Sequence, residues 1–486
     1  MGRSYLTVFI CQAIAAAATL AALHWLALYV APETYGTYAL YQSVISAGAL
    51  FFVSWPNAAL LRFGREEWTT HGRIGATLAA RALLFGLSLL VAVLLAWELD
   101  PWLRVVLHAG HSPFWWIAAG LLVTPGVELA IYIHQAIGHT EMYGYSPLII
   151  RGGFLTGVVL IPFIGGRLNW TYLAGWIVAS TTAAAVFAVI TLPVVSWSGF
   201  RLRSPVVLTL LKYSWTLPFA AISTYIVTWI DSWVIRDING IGSVGIYNWA
   251  YQVTAIASLA FAPIAVVLTP RVIDARLAGD LVKIKRYANA ILPAAVLLAI
   301  GLAFSFAFVF PALQLVAAPS YAKAYPVILV LLSALPFQLL GYLVTPLANS
   351  YERVLPRFVA ISAVVAAVNV VGDLLLVPRI GILGAAISTA FAFAVGGLLQ
   401  VAVVGTAGIA FAPIWRYSYP ACAVVPALGA IYCWGAKDGG LVIGFVAVSV
   451  VSIMAGRRAL MGSGQSQTAM TLLKKIESGL TLSGSC

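Results

Sequence analysis

Three ionisable residues lie inside long apolar stretches of the sequence, where a charge needs a partner. Arg81 and Glu128 each lie about eight residues from one end of their stretch, a depth of about 12 Å at the α-helical rise of 1.5 Å per residue. Arg151 adds a second cation near the same end of a third stretch. Two interpretations are open. These residues form a cationic site that binds phosphate oxygens through paired hydrogen bonds, or Arg81 and Glu128 form an ion pair between helices while Arg151 reaches the membrane surface.

A second group of charges lies near the opposite ends of two later stretches. Asp231 is followed closely by Arg236, and Asp373 by Arg379. Charges inside a bilayer cost several kcal/mol and are functional candidates, so these groups predict a gate or coupling network. Solvated charges at loop edges are the simpler alternative. Amides in apolar stretches either bind sugars or bridge neighbouring helices; they are Asn57, Gln135, Asn248, Asn349 and Asn369.

The elements that position these residues are predicted to be membrane-spanning helices. Of 486 residues, 62% are hydrophobic and 9% are charged, whereas a soluble domain has about 25% charged residues. The apolar runs are too long for the strands of a barrel. We therefore expect an all-α membrane protein with about fourteen transmembrane helices, near residues 7–30, 38–61, 74–97, 113–136, 146–165, 170–194, 211–235, 243–269, 288–310, 325–348, 357–377, 381–406, 412–434 and 439–456.

The distribution of basic residues predicts the orientation of these helices. With the N-terminus inside, nineteen of the 27 Lys and Arg residues fall in inner segments and six in outer ones. This alternation follows the positive-inside rule and places both termini in the cytoplasm. Because the basic residues lie in short clusters between apolar runs, the net charge of +12 indicates orientation rather than nucleic-acid binding.

The sequence contains no signature of a catalytic or metal site. Its four cysteines and six histidines have no metal-ligand spacing, and it has neither a P-loop nor a nucleophile elbow. We therefore assign no catalytic residue, no metal and no cofactor. An ATP-driven pump and an intramembrane hydrolase are disfavoured.

An internal repeat indicates two similar halves. Gly36-x-Tyr38 opens the second predicted helix and Gly245-x-Tyr247 opens the eighth, 209 residues later. Arg62 and Arg271 have the same separation, and either attract an anionic headgroup or only mark the inner side. Because six helices separate the copies, the repeat predicts two parallel six-helix lobes around a cavity, as in alternating-access transporters. The expected organisation is an N-lobe (1–200), a C-lobe (201–410), two further helices (411–460) and a cytoplasmic tail (461–486).

Four motifs resemble one transporter family. They are Pro32-Glu33-x-Tyr35-Gly36-x-Tyr38, Arg62-Phe63-Gly64-Arg65-Glu66-Glu67, Val244-Gly245-Ile246-Tyr247, and Asn369-x-x-x-Asp373-x-x-Leu376-Val377-Pro378-x-x-Gly381-Ile382-x-Gly384-Ala385-Ala386-x-Ser388-Thr389. This pattern is similar to that of the polysaccharide or O-antigen (Wzx-type) flippases of the multidrug/oligosaccharidyl-lipid/polysaccharide exporter superfamily. The first helix offers Cys11, Gln12 and His24, with neither the acidic residue common in drug exporters of the superfamily nor the arginines of peptidoglycan-precursor flippases.

The resemblance implies a V-shaped cavity between the lobes and a transported polyprenyl-diphosphate-linked oligosaccharide. Such a protein lies in the bacterial cytoplasmic membrane, is driven by the membrane potential with or without H⁺ or Na⁺, and has glycan polymerase and chain-length proteins as candidate partners. Arg62, Arg81, Glu128, Arg151 and Arg271 are the expected substrate-binding residues. Two alternatives remain: a cation-coupled multidrug antiporter of the same superfamily, and a membrane glycan polymerase or ligase. The latter is disfavoured because the longest outer loop, near 98–112, is short.

Overall fold

In a computed structural model, the described part of the chain consists of helices joined by short turns, without strands. The structure describes residues 2–259 apart from 140, 164–168, 195–197 and 216, and, beyond them, residues 272, 275–276, 278–288, 319–350 and 355–405.

The helices are named in chain order. They are α1 (Gly2–Tyr29), α2 (Pro32–Gly48), α3 (Asn57–His71), α4 (Gly75–Glu98), α5 (Asp100–Val106), α6 (Phe114–Ile137), α7 (Met142–Val159), α8 (Trp170–Ile190), α9 (Ser204–Ser214), α10 (Leu217–Asn239), α11 (Ile241–Leu259), α12 (Leu281–Arg286), α13 (Ala324–Ser350), α14 (Leu355–Ile380) and α15 (Ile382–Gly405). A π-helical turn, Ala49–Val53, continues α2, and two short 3₁₀ turns lie at Ile161–Phe163 and Pro319–Tyr321.

The membrane-spanning prediction is confirmed for the described residues. Ten helical segments among them are long and apolar enough to cross a membrane. Their exposed surfaces are rich in large apolar side chains such as Leu90, Leu94 and Ile190, as expected where lipid replaces water. Apart from Ala288, the predicted span 288–310 lies outside the described residues, as do the spans 412–434 and 439–456, Arg271 and the tail after 460.

The second predicted helix differs most from its predicted bounds. We expected one span over 38–61, but the chain forms α2, a π-helical turn and a break at Ser54–Pro56, after which α3 runs to His71. Pro56 cannot donate a backbone hydrogen bond, which explains the break. The charged residues after Arg62 suggested a loop, but they are compatible with a helix that continues into water.

The described residues belong to two compact units. The first contains those within 1–263, 312–328 and 359–392, and the second those within 264–311, 329–358 and 393–486. In the first unit, α1 packs along α7, α2 along α11, and α6 and α7 along α8. In the second, Gly397 lies against the backbone of Phe337, and Gly341 against the side chain of Gln400. The sites described below all lie in the first unit.

Candidate functional site

Two buried carboxylates meet where α10, α11, α14 and α15 come together. Asp231 on α10 and Asp373 on α14 are 1% and 0% exposed, and the two carboxylates act on each other electrostatically. They are separated by 142 residues in the sequence. The structure thus brings together two of the predicted gate or coupling residues, and their burial does not fit solvated charges at loop edges.

Hydroxyl groups from the neighbouring helices orient the Asp231 carboxylate. Thr389 Oγ1 on α15 donates to Asp231 Oδ2 at 2.5 Å, and Tyr247 on α11 donates to the same oxygen. Asn369 lies one helical turn before Asp373, and its Nδ2 donates to Thr389 Oγ1 at 3.3 Å. These five residues are called the acidic site below.

The acidic site contains oxygen atoms that still need a partner. Asp231 Oδ1, Asn369 Oδ1 and both Asp373 carboxylate oxygens are buried and accept no hydrogen bond within the described part of the chain. No cation among the described residues forms an ion pair with either aspartate. Two adjacent carboxylates cannot both stay ionised in a buried site without a proton or cation between them. Oxygen donors of this kind suit a proton or a hard cation such as Na⁺.

Arg81 and Glu128 flank the break after α2 rather than forming a direct ion pair. Arg81 is fully buried, and its Nε and Nη2 donate to Asn57 Oδ1 at 3.0 and 2.8 Å. Glu128 accepts a 2.5 Å hydrogen bond from Ser54 Oγ. The carboxylate acts on Arg81 electrostatically, but no ion pair joins them in this part of the structure.

The hydrogen bonds at this break satisfy the backbone carbonyls that lose their usual helical N–H donors because of Pro56. In a regular helix, Pro56 and Asn57 would donate to the carbonyls of Phe52 and Val53. Pro56 has no N–H, and the Asn57 N–H instead donates to Ser54 O at 3.0 Å. Instead, the indole Nε1 of Trp55 donates to Phe52 O at 3.1 Å, and Arg81 Nη2 donates to Val53 O at 2.7 Å. These bonds use the Nε and Nη2 donors of Arg81 and favour its structural interpretation, while Nη1 is buried without a hydrogen-bond partner among the described residues.

Arg151 lies deeper in its helix than we expected. Because α7 begins at Met142, Arg151 lies about 14 Å from the start of the helix at 1.5 Å per residue. It is half-buried, and its charge acts on Tyr35 and Tyr38 of α2. The described residues offer it neither a hydrogen bond nor an ion pair. An unpaired arginine at this depth suits an anionic ligand.

The remaining predicted site residues lie apart from the acidic site and from Arg151. Arg62 is exposed, and its guanidinium lies over the rings of Phe63 and Tyr213. Arg236 pairs with Asp237 at 2.6 Å and donates from Nε to Val106 O, so it does not contact Asp231. Asp231 and Arg236 therefore do not form the expected local network.

The sequence does not indicate which partners orient these residues. Tyr247 and Thr389 lie within the quoted motifs, but the motifs do not indicate that both hydroxyls bond one carboxylate. Asn57 and Asn369 were expected to bind sugar or bridge helices, and the structure gives both a bridging contact. Ser54 had no signal beyond its place just before Pro56.

Comparison with known proteins identifies the type of fold. A family model described as polysaccharide biosynthesis protein matches residues 2–275, more than half of the chain. A search of curated protein sequences finds no match.

Three solved structures are similar to the chain. The lipid II flippase MurJ in an inward closed conformation has a TM-score of 0.63 at 16% identity, over 95% of this chain and 100% of that one. An inward-facing multidrug resistance MATE family transporter has a TM-score of 0.57 at 14% identity, over 84% and 98%. A MOP superfamily transporter from Pyrococcus furiosus has a TM-score of 0.54 at 14% identity, over 84% and 96%. The chain therefore has the transporter fold of this superfamily.

Proposed function

Because this chain belongs to the polysaccharide biosynthesis protein family, we propose that it carries a polyprenyl-diphosphate-linked oligosaccharide from the inner to the outer face of the bacterial cytoplasmic membrane. Family membership is the observation that carries this proposal. In the proposed orientation both termini lie inside, as the basic residues of the inner segments favour. The products would pass to glycan polymerase and chain-length proteins outside.

Arg151 is the residue that we assign to the diphosphate. Its planar guanidinium matches two phosphate oxygens at once, and it lies at membrane depth without a carboxylate partner among the described residues. Arg151 is half-buried, so part of its side chain is accessible to a headgroup. Arg62 and Arg271 belong to the same proposal as cations that attract the headgroup at the inner surface.

Arg81 and Glu128 have a supporting role in this proposal. They hold the break after α2, and so fix the direction in which α3 leaves it. Asn57 and Ser54 are their contacts there. A substrate contact by Arg81 would require it to release Asn57.

The acidic site is assigned to coupling. Binding of a proton or Na⁺ between Asp231 and Asp373 would neutralise their repulsion, and its release on the other side would restore it. Each of the helices α10, α11, α14 and α15 contributes a polar group, so occupancy of the site changes how these helices pack. A gradient of the cation would then drive the conformational cycle.

Reconstitution into liposomes tests the proposed function. The purified chain is incorporated with a fluorescent polyprenyl-diphosphate oligosaccharide, and the accessibility of the headgroup to an added glycosidase or quencher is followed on each side. We expect exposure that depends on the protein and is lost in Arg151→Ala, while Arg62→Ala is only slowed. Exposure no faster than in protein-free liposomes would exclude the proposal.

A cation-coupled multidrug antiporter is the second candidate. The similarity to the MATE family transporter and the buried Asp231 and Asp373 pair favour it. It predicts efflux of cationic drugs by the same proteoliposomes when a proton or Na⁺ gradient is imposed. Glu128→Gln would abolish such efflux if this carboxylate bound the drug. Drug efflux without headgroup exposure would replace the flippase proposal with this one.

A further inference from the structure

A polar pocket lies where α3 ends, α4 begins and α9 packs against both. Its volume of about 540 Å³ falls within the range of about 300–1,000 Å³ that is typical of small-molecule sites. Thr77 and Leu210 line it and are buried, so the pocket reaches into packed protein. None of the residues assigned above to substrate or coupling lines it, so a ligand here is separate from the carried substrate.

Two glycines bring the connector between α8 and α9 onto the start of α4. A Cβ atom added to Gly75 would overlap the carbonyl oxygen of Ser198. Gly199 has a φ of 74°, a left-handed conformation that favours glycine, and its added Cβ would lie 3.3 Å from Arg73 Cδ. The connector is therefore held against α4 by backbone contact. Arg73, just before α4, and Arg203, at the end of the connector, both line the pocket.

The pocket carries charges of both signs on different elements. Arg73 precedes α4 and Arg203 precedes α9, whereas Glu66 and Glu67 lie on α3. The Glu67 carboxylate already accepts two backbone N–H groups of α4, at 3.1 and 2.9 Å. The side chains of Arg73, Arg203 and Glu66 form neither a hydrogen bond nor an ion pair with another described residue. Two cations and one carboxylate are therefore available to a ligand.

Exposed apolar side chains flank the pocket on the connector and on α9. Phe200, Leu202 and Leu208 are each more than half exposed. In the proposed orientation the pocket lies at the inner membrane surface, where Arg73 and Arg201 belong to inner basic segments. An amphiphile can thus place its polar head in the pocket and its tails against these apolar side chains.

We propose that this pocket binds the phosphoethanolamine headgroup of a phospholipid in the inner leaflet. The phosphate accepts charge-assisted hydrogen bonds from Arg73 and Arg203, and the primary ammonium donates to the Glu66 carboxylate. A purely anionic headgroup would leave Glu66 near a phosphate without a cation, and a choline headgroup has no N–H to donate. Only the choice of leaflet depends on the proposed orientation, and the inference does not require that the chain transports anything.

A lipid bound in this pocket would join α3 and α4 to α9. Leu217, the first residue of α10, lies three residues after Ser214, the last residue of α9, and α10 carries Asp231 of the acidic site. A ligand stabilises the conformation that binds it. The bound phospholipid therefore stabilises the arrangement of α9 against α3 and α4 that the structure shows.

Native mass spectrometry of the purified, delipidated chain tests the proposal without substrate. The chain in detergent is titrated with phosphatidylethanolamine, phosphatidylcholine and phosphatidylglycerol that carry identical acyl chains, and bound lipid is counted. We expect phosphatidylethanolamine to bind at least tenfold more tightly than the other two. Equal binding of the three lipids would overturn the proposal. Free phosphoethanolamine should bind at least tenfold more weakly than the lipid, and equally tight binding would replace the phospholipid with a soluble ligand.

Variants of the pocket assign the two ends of the headgroup. Glu66→Gln should lower phosphatidylethanolamine binding to the level of phosphatidylcholine, and an unchanged preference would overturn the ammonium site. Arg73→Ala combined with Arg203→Ala should weaken binding of all three lipids at least tenfold, and unchanged binding would overturn the phosphate site. The exposed controls Glu98→Gln, at the far end of α4, and Arg286→Ala, on α12, should bind as the parent does.

Thermal unfolding without added lipid separates a lost site from a lost fold. Glu66→Gln and the double arginine variant should then unfold at the parent temperature, because the three side chains have no partner among the described residues. Added phosphatidylethanolamine should raise the unfolding temperature of the parent chain and not that of the double variant. If the double variant does not fold, the comparison of Glu66→Gln with the parent decides.

Discussion

Replacing Asn57 separates the structural from the ligand-binding interpretation of Arg81. The Asn57 side chain accepts two hydrogen bonds from the fully buried guanidinium, and its own Nδ2 has no partner in the described structure. Asn57→Ala removes both bonds and leaves Arg81 with Val53 O as its remaining hydrogen-bond acceptor. Asn57→Asp keeps the acceptor, adds a charge opposite the arginine and removes the unpartnered Nδ2.

The geometry gives the size of the effect. Hydrogen bonds to a charged group contribute about 1.5 to 3 kcal/mol each, but these two share one oxygen and do not add fully. Removing the unpartnered Nδ2 offsets about 1 kcal/mol of the loss. We therefore expect Asn57→Ala to lower the free energy of unfolding by about 2 to 3 kcal/mol. Asn57→Asp should be at least as stable as the parent chain.

Thermal unfolding in detergent, followed by tryptophan fluorescence, measures this difference. We expect Asn57→Ala to unfold several degrees below the parent and Asn57→Asp to unfold at or above it, with Asn239→Ala, at an exposed position on α10, unchanged. An Asn57→Ala chain as stable as the parent, with altered binding of the diphosphate headgroup, would refute the structural role and return Arg81 to the ligand site.

Three further outcomes follow from the described contacts. Asp373→Asn should make headgroup movement at least tenfold slower and insensitive to Na⁺ concentration and to pH. Transport assays at several Na⁺ concentrations and several pH values measure both effects. The Glu67 carboxylate accepts hydrogen bonds from two backbone N–H groups at the start of α4, and Glu67→Gln weakens this cap. Thermal unfolding should show a loss of about 1 kcal/mol of stability for Glu67→Gln. The control Glu66→Gln, at an exposed position, should show no measurable loss. Gly157→Ala places a methyl group against a tryptophan ring and should lower stability by about 1 to 3 kcal/mol, while Gly152→Ala on the same helix has open space and should not.

Hydropathy predicts most of the described helices, because a helix that crosses the bilayer needs an apolar run of a minimum length. The predicted 74–97 and 113–136 correspond to Gly75–Glu98 and Phe114–Ile137. Apolar runs do not show how a span is interrupted, and so the predicted span 38–61 does not include a break at Ser54–Pro56. The predicted bounds also leave out the charged stretch after Arg62, which is the second half of α3, because hydropathy detects the membrane and not the helix.

The acidic site illustrates why side-chain convergence was harder to predict. Asp231 and Asp373 were each recognised as charges near helix ends, but nothing in their spacing indicates that α10 and α14 are neighbours. The repeat predicted that Gly36 and Gly245 are equivalent without predicting that they touch, although a Cβ added to either would lie 3.0 Å from the backbone nitrogen of the other. Equivalence comes from sequence similarity, whereas contact depends on where the symmetry axis lies.

The dependence of headgroup movement on membrane potential shows whether an anionic headgroup crosses the membrane through this chain. In proteoliposomes loaded with labelled polyprenyl-diphosphate oligosaccharide on the inner leaflet, each negative charge gains about 2.3 kcal/mol per 100 mV when the interior is negative. We predict that headgroups reach the outside faster with a negative interior than with a positive one, and that Arg151→Ala removes this movement. Exposure at the rate of protein-free liposomes under both potentials would show that the chain does not carry the headgroup.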